Sequence, residues 1–251
     1  PVVGPVPGGC GGNSYPPHMS FGLGRGRQLD PAPGSIGISL EELGPLPDEV
    51  MTNPLAGRLD PRQWFADPAR PFEIEIGSGK GTFLLNHAAE HPGVNFLGIE
   101  WANEFYSYAA DRIRRRGLEN VRMLRADATE FLKWRVPDGI VRVIHLYYSD
   151  PWPKTRHHKN RVVQDSFLAE GHRVLEPGGE LRVVTDHAEL WSWCEEHFAR
   201  WCGGNAPARF ERLPFEPPSW VEGDDLVGTN YERKTRAEGR PPRAAVLRKP
   251  A

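Results

Sequence analysis

The arrangement of hydrophobic and polar positions changes near residue 71. From there on, short apolar runs alternate with longer stretches in which apolar residues recur every three or four positions. The short runs have the length of buried strands, and the longer stretches have the period of amphipathic helices. The sequence therefore predicts an α/β domain with a largely parallel sheet and crossover helices.

Five strands and five helices are predicted in this region. The strands are expected at 72–76, 95–99, 121–125, 141–148 and 180–185, and the helices near 80–91, 102–116, 128–135, 159–175 and 187–201. Gly117 follows a helix as a C-terminal cap, and "EPGGE" at 176–180 marks a turn. A last strand is expected in "RAAVLRKP" near the end of the chain.

The first 50 residues contain 11 glycines and nine prolines and show no sustained period of two or 3.6. Such a segment buries too little apolar surface to offset the entropy lost on ordering. We therefore predict a largely disordered leader over 1–50 and one folded domain over 51–251. Within the leader, "FGLGRGR" at 21–27 is either a flexible linker, which the composition favours, or a basic arm that grips phosphate.

Charge and cysteine usage narrow the class of protein. The 251 residues carry a formal net charge of −2, so binding to nucleic acid requires a local basic patch. Cys10, Cys194 and Cys202 show no C-x-x-C spacing, which argues against a disulfide framework or a zinc site and favours a reducing, cytoplasmic setting. The sequence contains neither a signal peptide nor an apolar run of membrane-spanning length, so we expect no membrane association.

A glycine-rich turn follows the first strand of the domain. "EIEIGSGKG" places Gly77, Gly79 and Gly81 between a strand and a helix, where a backbone free of side chains approaches a nucleotide-like ligand. In the dinucleotide fingerprint the third glycine comes one residue later. The spacing therefore shifts the prediction away from a pyrophosphate ligand.

Three acids lie at the ends of successive strands: Glu75, Glu100 and Asp127. An acid in the position of Glu100 accepts ribose hydroxyls from NAD or from S-adenosylmethionine. Glu75 would repel a pyrophosphate and attract a cationic methionine group. Asp127 is explained equally well as an acceptor for the adenine amino group or as a helix N-cap. Together with the glycine turn, the three acids favour S-adenosylmethionine.

The segment "SDPWPKTRHHKNR" at 149–161 follows the fourth predicted strand. Its two prolines restrict the backbone on either side of Trp152, so Asp150 and Trp152 form either a stiff turn on the core or a rigid site for a purine. Four cationic side chains follow within eight residues that contain no acid, and at a helix start they would need an anion such as phosphate. The two adjacent histidines lack a third ligand, so we predict no metal site.

With these residues laid out, the chain resembles the tRNA (guanine-N7)-methyltransferase family. The resemblance is carried in order by "EIGSGKG", "FLGIE", "RADATEF", "SDPWPKTRHHKNR", "VVTDHAEL" and "GTNYERK". It implies the Rossmann-like fold of a class I methyltransferase, with a mostly parallel sheet of seven strands. Ser149 stands where many relatives have a proline.

The resemblance also implies roles for individual residues. Contacts to S-adenosylmethionine are implied for Glu75, Glu100, Asp127 and Asp150, beside Gly77 and Gly79, and Asp150 is implied to be catalytic. Substrate contacts are implied for Lys154, Asp186, Thr229, Asn230, Tyr231 and Glu232. The implied RNA contacts are Arg156, His157, His158, Lys159, Asn160 and Arg161.

The expected activity is methyl transfer to N7 of a guanosine in the variable loop of tRNA, at position 46 in tRNA numbering. The alternatives are a class I methyltransferase acting on another RNA or on protein, an NAD-dependent oxidoreductase, and an RNA-binding module without a cofactor. We expect tRNA as the partner, no metal and no obligatory protein partner, with the chain a monomer or homodimer.

Overall fold

The computed structural model describes residues 22–203 and 209–251, and eight strands in these ranges form one sheet. The strands are β1 (Gly37–Ile38), β2 (Phe72–Ile76), β3 (Asn95–Ile99), β4 (Val121–Leu124), β5 (Val141–Tyr147), β6 (Leu175–Thr185), β7 (Glu211–Leu213) and β8 (Arg243–Arg248). Their order across the sheet is β1-β4-β3-β2-β5-β6-β8-β7. Pairs from β1 to β6 are parallel, whereas β8 is antiparallel to both of its neighbours.

The α-helices are α1 (Leu40–Leu43), α2 (Thr82–Glu90), α3 (Asn103–Arg116), α4 (Ala128–Trp134), α5 (Asp165–Val174), α6 (Ala188–Cys202) and α7 (Asn230–Ala237). Short 3-10 helices cover Asp48–Met51, Pro54–Gly57, Pro61–Trp64 and Thr155–Asn160. The Rossmann-like α/β fold is therefore confirmed. The sheet has one strand more than the predicted seven, because β1 adds two residues at the edge beside β4.

The central strands are buried along their whole length. All five residues of β2 and all five of β3 are buried, as expected for parallel strands covered by helices on both faces. Two carboxylates interrupt the apolar run of β2, Glu73 and Glu75, and both are buried. Burial of a charge is costly without a partner, and Glu73 has such partners in Arg142 and His145.

The strand order reverses beside β2. The chain runs from β2 outward through β3 and β4, and then returns to the other side of β2 with β5. Ligands of open α/β sheets bind outside the carboxyl ends of the strands at such a switch point. The glycine turn after β2 and the Asp150 segment after β5 flank this position.

The structure describes only the second part of the predicted leader. Residues 1–21, which include Cys10 and Phe21, lie outside the described residues. Residues 22–50, in contrast, contain β1 and α1 and bury Ile36, Ile38 and Val50. The short apolar alternation in "SIGISL" is enough to pair with β4, because β4 offers an edge that is already ordered.

The helix predicted at 159–175 also differs. Residues 155–160 form a 3-10 helix, and α5 begins only at Asp165, whose carboxylate is in the first turn. The basic residues therefore do not lie at the start of an α-helix, and no α-helix dipole acts against their charge. The sequence did not predict α7, which carries the "TNYERK" segment.

Candidate cofactor and RNA site

Glu75 lies at the carboxyl end of β2 with its side chain enclosed. Its Oε2 atom is buried and has no hydrogen-bond partner among the described residues. Burial and the neighbouring Glu100 raise the pKa of Glu75 to about 8. A buried carboxylate oxygen without a partner is unfavourable unless a ligand completes it, so Glu75 is a candidate ligand contact.

Glu100 closes the other side of this position. Its two oxygens accept hydrogen bonds from the backbone N–H groups of Gly79 and Ala102, both at 2.9 Å. Burial is the main cause that raises the pKa of Glu100, and the charge of Asp150 adds to it. The carboxylates after β2, β3 and β5 therefore act on one another electrostatically.

The glycine turn is shaped by left-handed backbone. Gly77 and Gly79 have φ values of 73° and 52°, and space is open beside the Cα of Gly77. Gly81 has another role, because a Cβ at this position would lie 2.9 Å from the Cβ of Ala109 on α3. The third glycine thus allows close packing of α2 on α3, and the first two leave the backbone accessible to a ligand.

Asp127 is the N-cap of α4. Its Oδ1 accepts hydrogen bonds from the backbone N–H groups of Thr129 and Glu130 and from the Thr129 hydroxyl. The cap interpretation is therefore correct for this oxygen. Asp127 is also exposed at the carboxyl end of β4, so the cap does not conflict with an additional contact to a ligand.

The segment after β5 has a strained backbone. Tyr148 and Trp152 have φ values of 53° and 44°, in the left-handed region that bulky residues rarely adopt. The ring of Trp152 packs edge-on against His157, with 5.8 Å between ring centroids. Asp150 lies between the two strained residues and is exposed at the carboxyl edge of the sheet.

The side chains of the basic segment that follows, residues 154–161, differ in exposure. Lys154, Arg156 and Lys159 are exposed, and His157, His158 and Asn160 are partly exposed. Arg161 is only 2% exposed. Its Nε donates to the carbonyl of Pro151 at 3.0 Å, and its guanidinium also binds Glu189. Two of its guanidinium nitrogens thus bind within the protein, and the RNA contact expected of Arg161 stays a prediction.

The side chains of the "TNYE" segment, residues 229–232, also differ in exposure. Thr229 is the N-cap of α7, and Tyr231 is 49% exposed. Glu232 is fully buried, and its carboxylate accepts from the backbone N–H groups of residues 226, 227 and 228. Glu232 therefore holds the preceding loop in place. The substrate contact expected of Glu232 stays a prediction.

Asp186, which follows β6, is buried and forms an ion pair with Arg240. Sequence reasoning did not include Arg240, which comes after α7 in the chain. It also missed the contact of Tyr148 with Tyr231, whose ring centroids are 5.1 Å apart. Both contacts join segments that are distant in sequence, so local patterns carry no signal for them.

The comparisons with known proteins agree with this geometry. A family model described as a putative methyltransferase matches residues 69–241. The tRNA (guanine-N(7)-)-methyltransferase of Nitrobacter hamburgensis is 37% identical over 229 residues, which cover 91% of this chain and 84% of the relative. The protein of the same name from Agrobacterium fabrum is 38% identical over 178 residues, which cover 70% of this chain and 73% of the relative.

A solved structure is similar in fold. The 16S rRNA methyltransferase KamB aligns with a TM-score of 0.51 and 14% identity, over 82% of this chain and 94% of that chain. None of the helices in the described part of the chain is long and apolar enough to cross a membrane. The family model and the two relatives together show that the chain belongs to the tRNA (guanine-N7-)-methyltransferase family.

Proposed function

We propose that this chain transfers a methyl group from S-adenosylmethionine to N7 of a guanosine in the variable loop of tRNA, at position 46 in tRNA numbering. The observation that carries the proposal is the group of carboxylates at the switch point. Glu75 and Glu100 are both largely buried there, and burial raises the pKa of each, with a further contribution of Glu100 to Glu75 and of Asp150 to Glu100. Mutually repelling carboxylates are stabilised by a cation and destabilised by a pyrophosphate.

The residues present fit S-adenosylmethionine. The buried, unpartnered oxygen of Glu75 suits a cationic group, and the backbone at Gly77 and Gly79 leaves room for a ligand. Glu100 keeps lone pairs for ribose hydroxyls beyond its two backbone contacts. Asp127 remains the proposed neighbour of the adenine. When bound, the cofactor supplies an electrophilic methyl group on a sulfonium.

Guanine N7 carries an sp² lone pair, so no base has to remove a proton before it attacks. Catalysis is then mainly positioning, which is worth about 7–11 kcal/mol for well-oriented reactants. Asp150 is the proposed catalytic residue, because it lies at the carboxyl edge beside Glu100 and accepts from donors on the purine or the cofactor. The guanine leaves its stack in the tRNA to reach this edge.

The exposed side chains around the edge are the proposed contacts to tRNA. They are Lys154, Arg156, His157, His158, Lys159 and Asn160 before α5, and Thr229, Asn230 and Tyr231 at the start of α7. Cationic side chains bind the phosphate backbone and orient the RNA. Asp186 contributes through its ion pair with Arg240. We also propose a cytoplasmic location and activity as a monomer or homodimer.

The test is methyl incorporation from labelled S-adenosylmethionine into bulk tRNA and into fragments of ribosomal RNA. We expect label in tRNA alone, and incorporation only into the ribosomal fragments would refute the proposal. Asp150→Ala is expected to retain tRNA and to lower the single-turnover rate by orders of magnitude. The control is Asp138→Ala, because Asp138 precedes β5 at the opposite end of the strand and its side chain is 67% exposed.

A further inference from the structure

A row of polar side chains, buried except for the partly exposed Trp220, includes Glu73 on β2, the strand that also carries Glu75. The Trp220 indole donates to His87 Nδ1 at 2.9 Å, and the His87 Nε2 atom lies 3.7 Å from Glu73 Oε2. The same oxygen is 2.8 Å from His145 Nε2, and His145 Nδ1 is 2.7 Å from the Tyr147 hydroxyl. The row connects the loop before α7 with α2, β2 and β5.

The donors and acceptors in this row fit only one arrangement of protons. The indole of Trp220 is only a donor, so His87 Nδ1 accepts and the proton of this neutral ring lies on Nε2. Burial opposes ionisation of Glu73, but His145, His87 and Arg142 hold its pKa well below the ordinary value. His145 therefore donates to Glu73 from Nε2 and accepts from Tyr147 at Nδ1. Burial lowers the pKa of His145 to about 4, which keeps the ring neutral.

The same contacts argue against a metal ion. Glu73, His87 and His145 place one potential ligand atom each within 4.8 Å of the others. Coordination by His87 Nε2 would require the proton of the ring to move to Nδ1. The Trp220 N–H occupies that position, and the indole has no acceptor to offer in exchange. The row therefore consists of three hydrogen bonds and the 3.7 Å contact between His87 Nε2 and Glu73 Oε2, without a metal ion.

Trp220 has a second contact on its ring. A side chain at Gly228 would lie 2.8 Å from Trp220 Cζ3, so the ring packs directly on this backbone. The N–H of Gly228 donates to Glu232, and Thr229 follows as the N-cap of α7. Trp220 thus touches α2 through its N–H group and the start of the "TNYE" segment through its ring.

We propose that Trp220 is a positioning residue for the tRNA substrate, which fixes the segment 229–232 relative to α2 through its hydrogen bond to His87. α2 follows directly on the glycine turn. The hydrogen bond between Trp220 and His87 therefore sets the distance between the segment 229–232 and the glycine turn. The inference rests on the proposed role of residues 229–231 in binding tRNA. Nothing in it requires Trp220 to touch the substrate.

Three variants isolate the hydrogen bond. Trp220→Phe keeps an aromatic ring against Gly228 and removes the N–H group. His87→Leu removes the acceptor, and His87→Gln restores it, because the amide oxygen accepts from Trp220 while the amide nitrogen donates to Glu73. The matched control is Trp134→Phe, which removes a comparable indole bond to Glu130 on α4.

Loss of one hydrogen bond predicts a rise of about three- to tenfold in the KM for tRNA in Trp220→Phe and His87→Leu. We expect kcat at saturating tRNA and the affinity for S-adenosylhomocysteine to stay unchanged. His87→Gln is expected to recover most of the loss, and Trp134→Phe to match the wild type. A purely structural defect would lower kcat and cofactor affinity together with the apparent binding of tRNA.

Amide hydrogen exchange of residues 226–232 in the free enzyme tests the positioning without a substrate. We expect faster exchange in Trp220→Phe and His87→Leu than in the wild type. Unchanged exchange, an unchanged KM, or equal losses in KM and cofactor affinity would each overturn the inference. So would stoichiometric zinc or iron in the purified protein that His87→Leu removes. If the wild type does not methylate tRNA, the proposed function fails while the exchange rates still decide the positioning role.

Discussion

Arg161 binds the backbone carbonyl of Pro151, ten residues earlier, through its Nε atom at 3.0 Å. The same guanidinium donates to Glu189 on α6 at 2.6 Å and stacks on Trp193 with 5.2 Å between Cζ and the ring centroid. The buried side chain of Arg161 therefore connects the end of the segment 149–161 to its beginning, next to Asp150. The exposed cations Lys154, Arg156 and Lys159 lie between the two residues that this hydrogen bond joins.

Arg161→Ala is expected to destabilise the protein by about 2 kcal/mol, the magnitude of a charge-assisted hydrogen bond, and to lower methylation as well. Removal of the guanidinium frees the Pro151 carbonyl and with it the backbone next to Asp150. Chemical denaturation measures the first effect, and single-turnover kinetics measure the second.

Arg156→Ala is the matched control, since Arg156 lies in the same segment and is exposed. Its free energy of unfolding should change by less than about 0.5 kcal/mol, whereas its affinity for tRNA should fall. If the two variants lose the same stability, or if Arg161→Ala only weakens tRNA binding, Arg161 does not have the role described.

The comparison of Arg156 with Arg161 shows what the sequence could predict. The position of the segment followed from strand periodicity, because β5 is long and apolar. The sequence could not predict which of its cations are exposed and which are buried. The partners of the buried Arg161, Glu189 and Trp193, come from α6, about 30 residues later. The same applies to Glu232, whose three partners are backbone N–H groups of a loop with no periodic pattern.

Local chemistry was sufficient elsewhere. Gly117 adopts the left-handed conformation that ends α3, as its position after an arginine-rich helix end predicted. The start of α5 was missed by six residues, because the sequence has no cap signal between the basic segment and Asp165. The row from Trp220 to Tyr147 needed the sheet register, because Glu73 pairs with Val143, two residues before His145 on the adjacent strand β5.

Cofactor binding is predicted to release a proton from Glu75. Its pKa is raised to about 8, so most of the free protein carries this proton at neutral pH, and a cationic ligand favours the carboxylate. Affinity for S-adenosylmethionine, which carries the sulfonium charge, should therefore increase between pH 6 and pH 8, by at most about tenfold per pH unit. Calorimetry in buffers of different ionisation enthalpy measures the released proton directly.

The stability of the free protein changes with pH in the opposite direction to the affinity for the cofactor. The pKa of Glu75 is higher in the folded protein than its ordinary value of 4.5, so its contribution to folding is complete below pH 4.5 and is lost as the pH rises through about 8. Glu75→Gln should remove both dependences. Proton release that persists in Glu75→Gln would assign the effect to another group.

Glu232→Gln is expected to lower the free energy of unfolding by about 2–3 kcal/mol, because an amide replaces a carboxylate that accepts three backbone N–H groups. The KM for tRNA should rise, and the affinity for S-adenosylhomocysteine should not change. Glu196→Gln, at an exposed position of α6, is the control and should leave both the unfolding and the kinetics as in the wild type. A variant at Glu232 with normal stability would contradict the buried network.

Gly81→Ala and Gly139→Ala separate backbone strain from packing. Their φ values are almost equal, 67° and 66°, but only Gly81 has a neighbour that a Cβ would meet, Ala109 at 2.9 Å. Both variants should lose about 1 kcal/mol to the left-handed conformation. Gly81→Ala should lose about 1–3 kcal/mol more, because α2 moves away from α3. Equal losses in thermal or chemical denaturation would exclude the close packing as the reason for Gly81.

The central claim is that this chain methylates N7 of a guanosine in the variable loop of tRNA. The direct test is to incubate tRNA that lacks the modification with the purified protein and S-adenosylmethionine, and then to map N7-methylguanosine by chemical cleavage and sequencing. We predict one modified guanosine, at position 46 of the variable loop, and no detectable modification by Asp150→Ala. Modification at another position, or equal modification by Asp150→Ala, would contradict it.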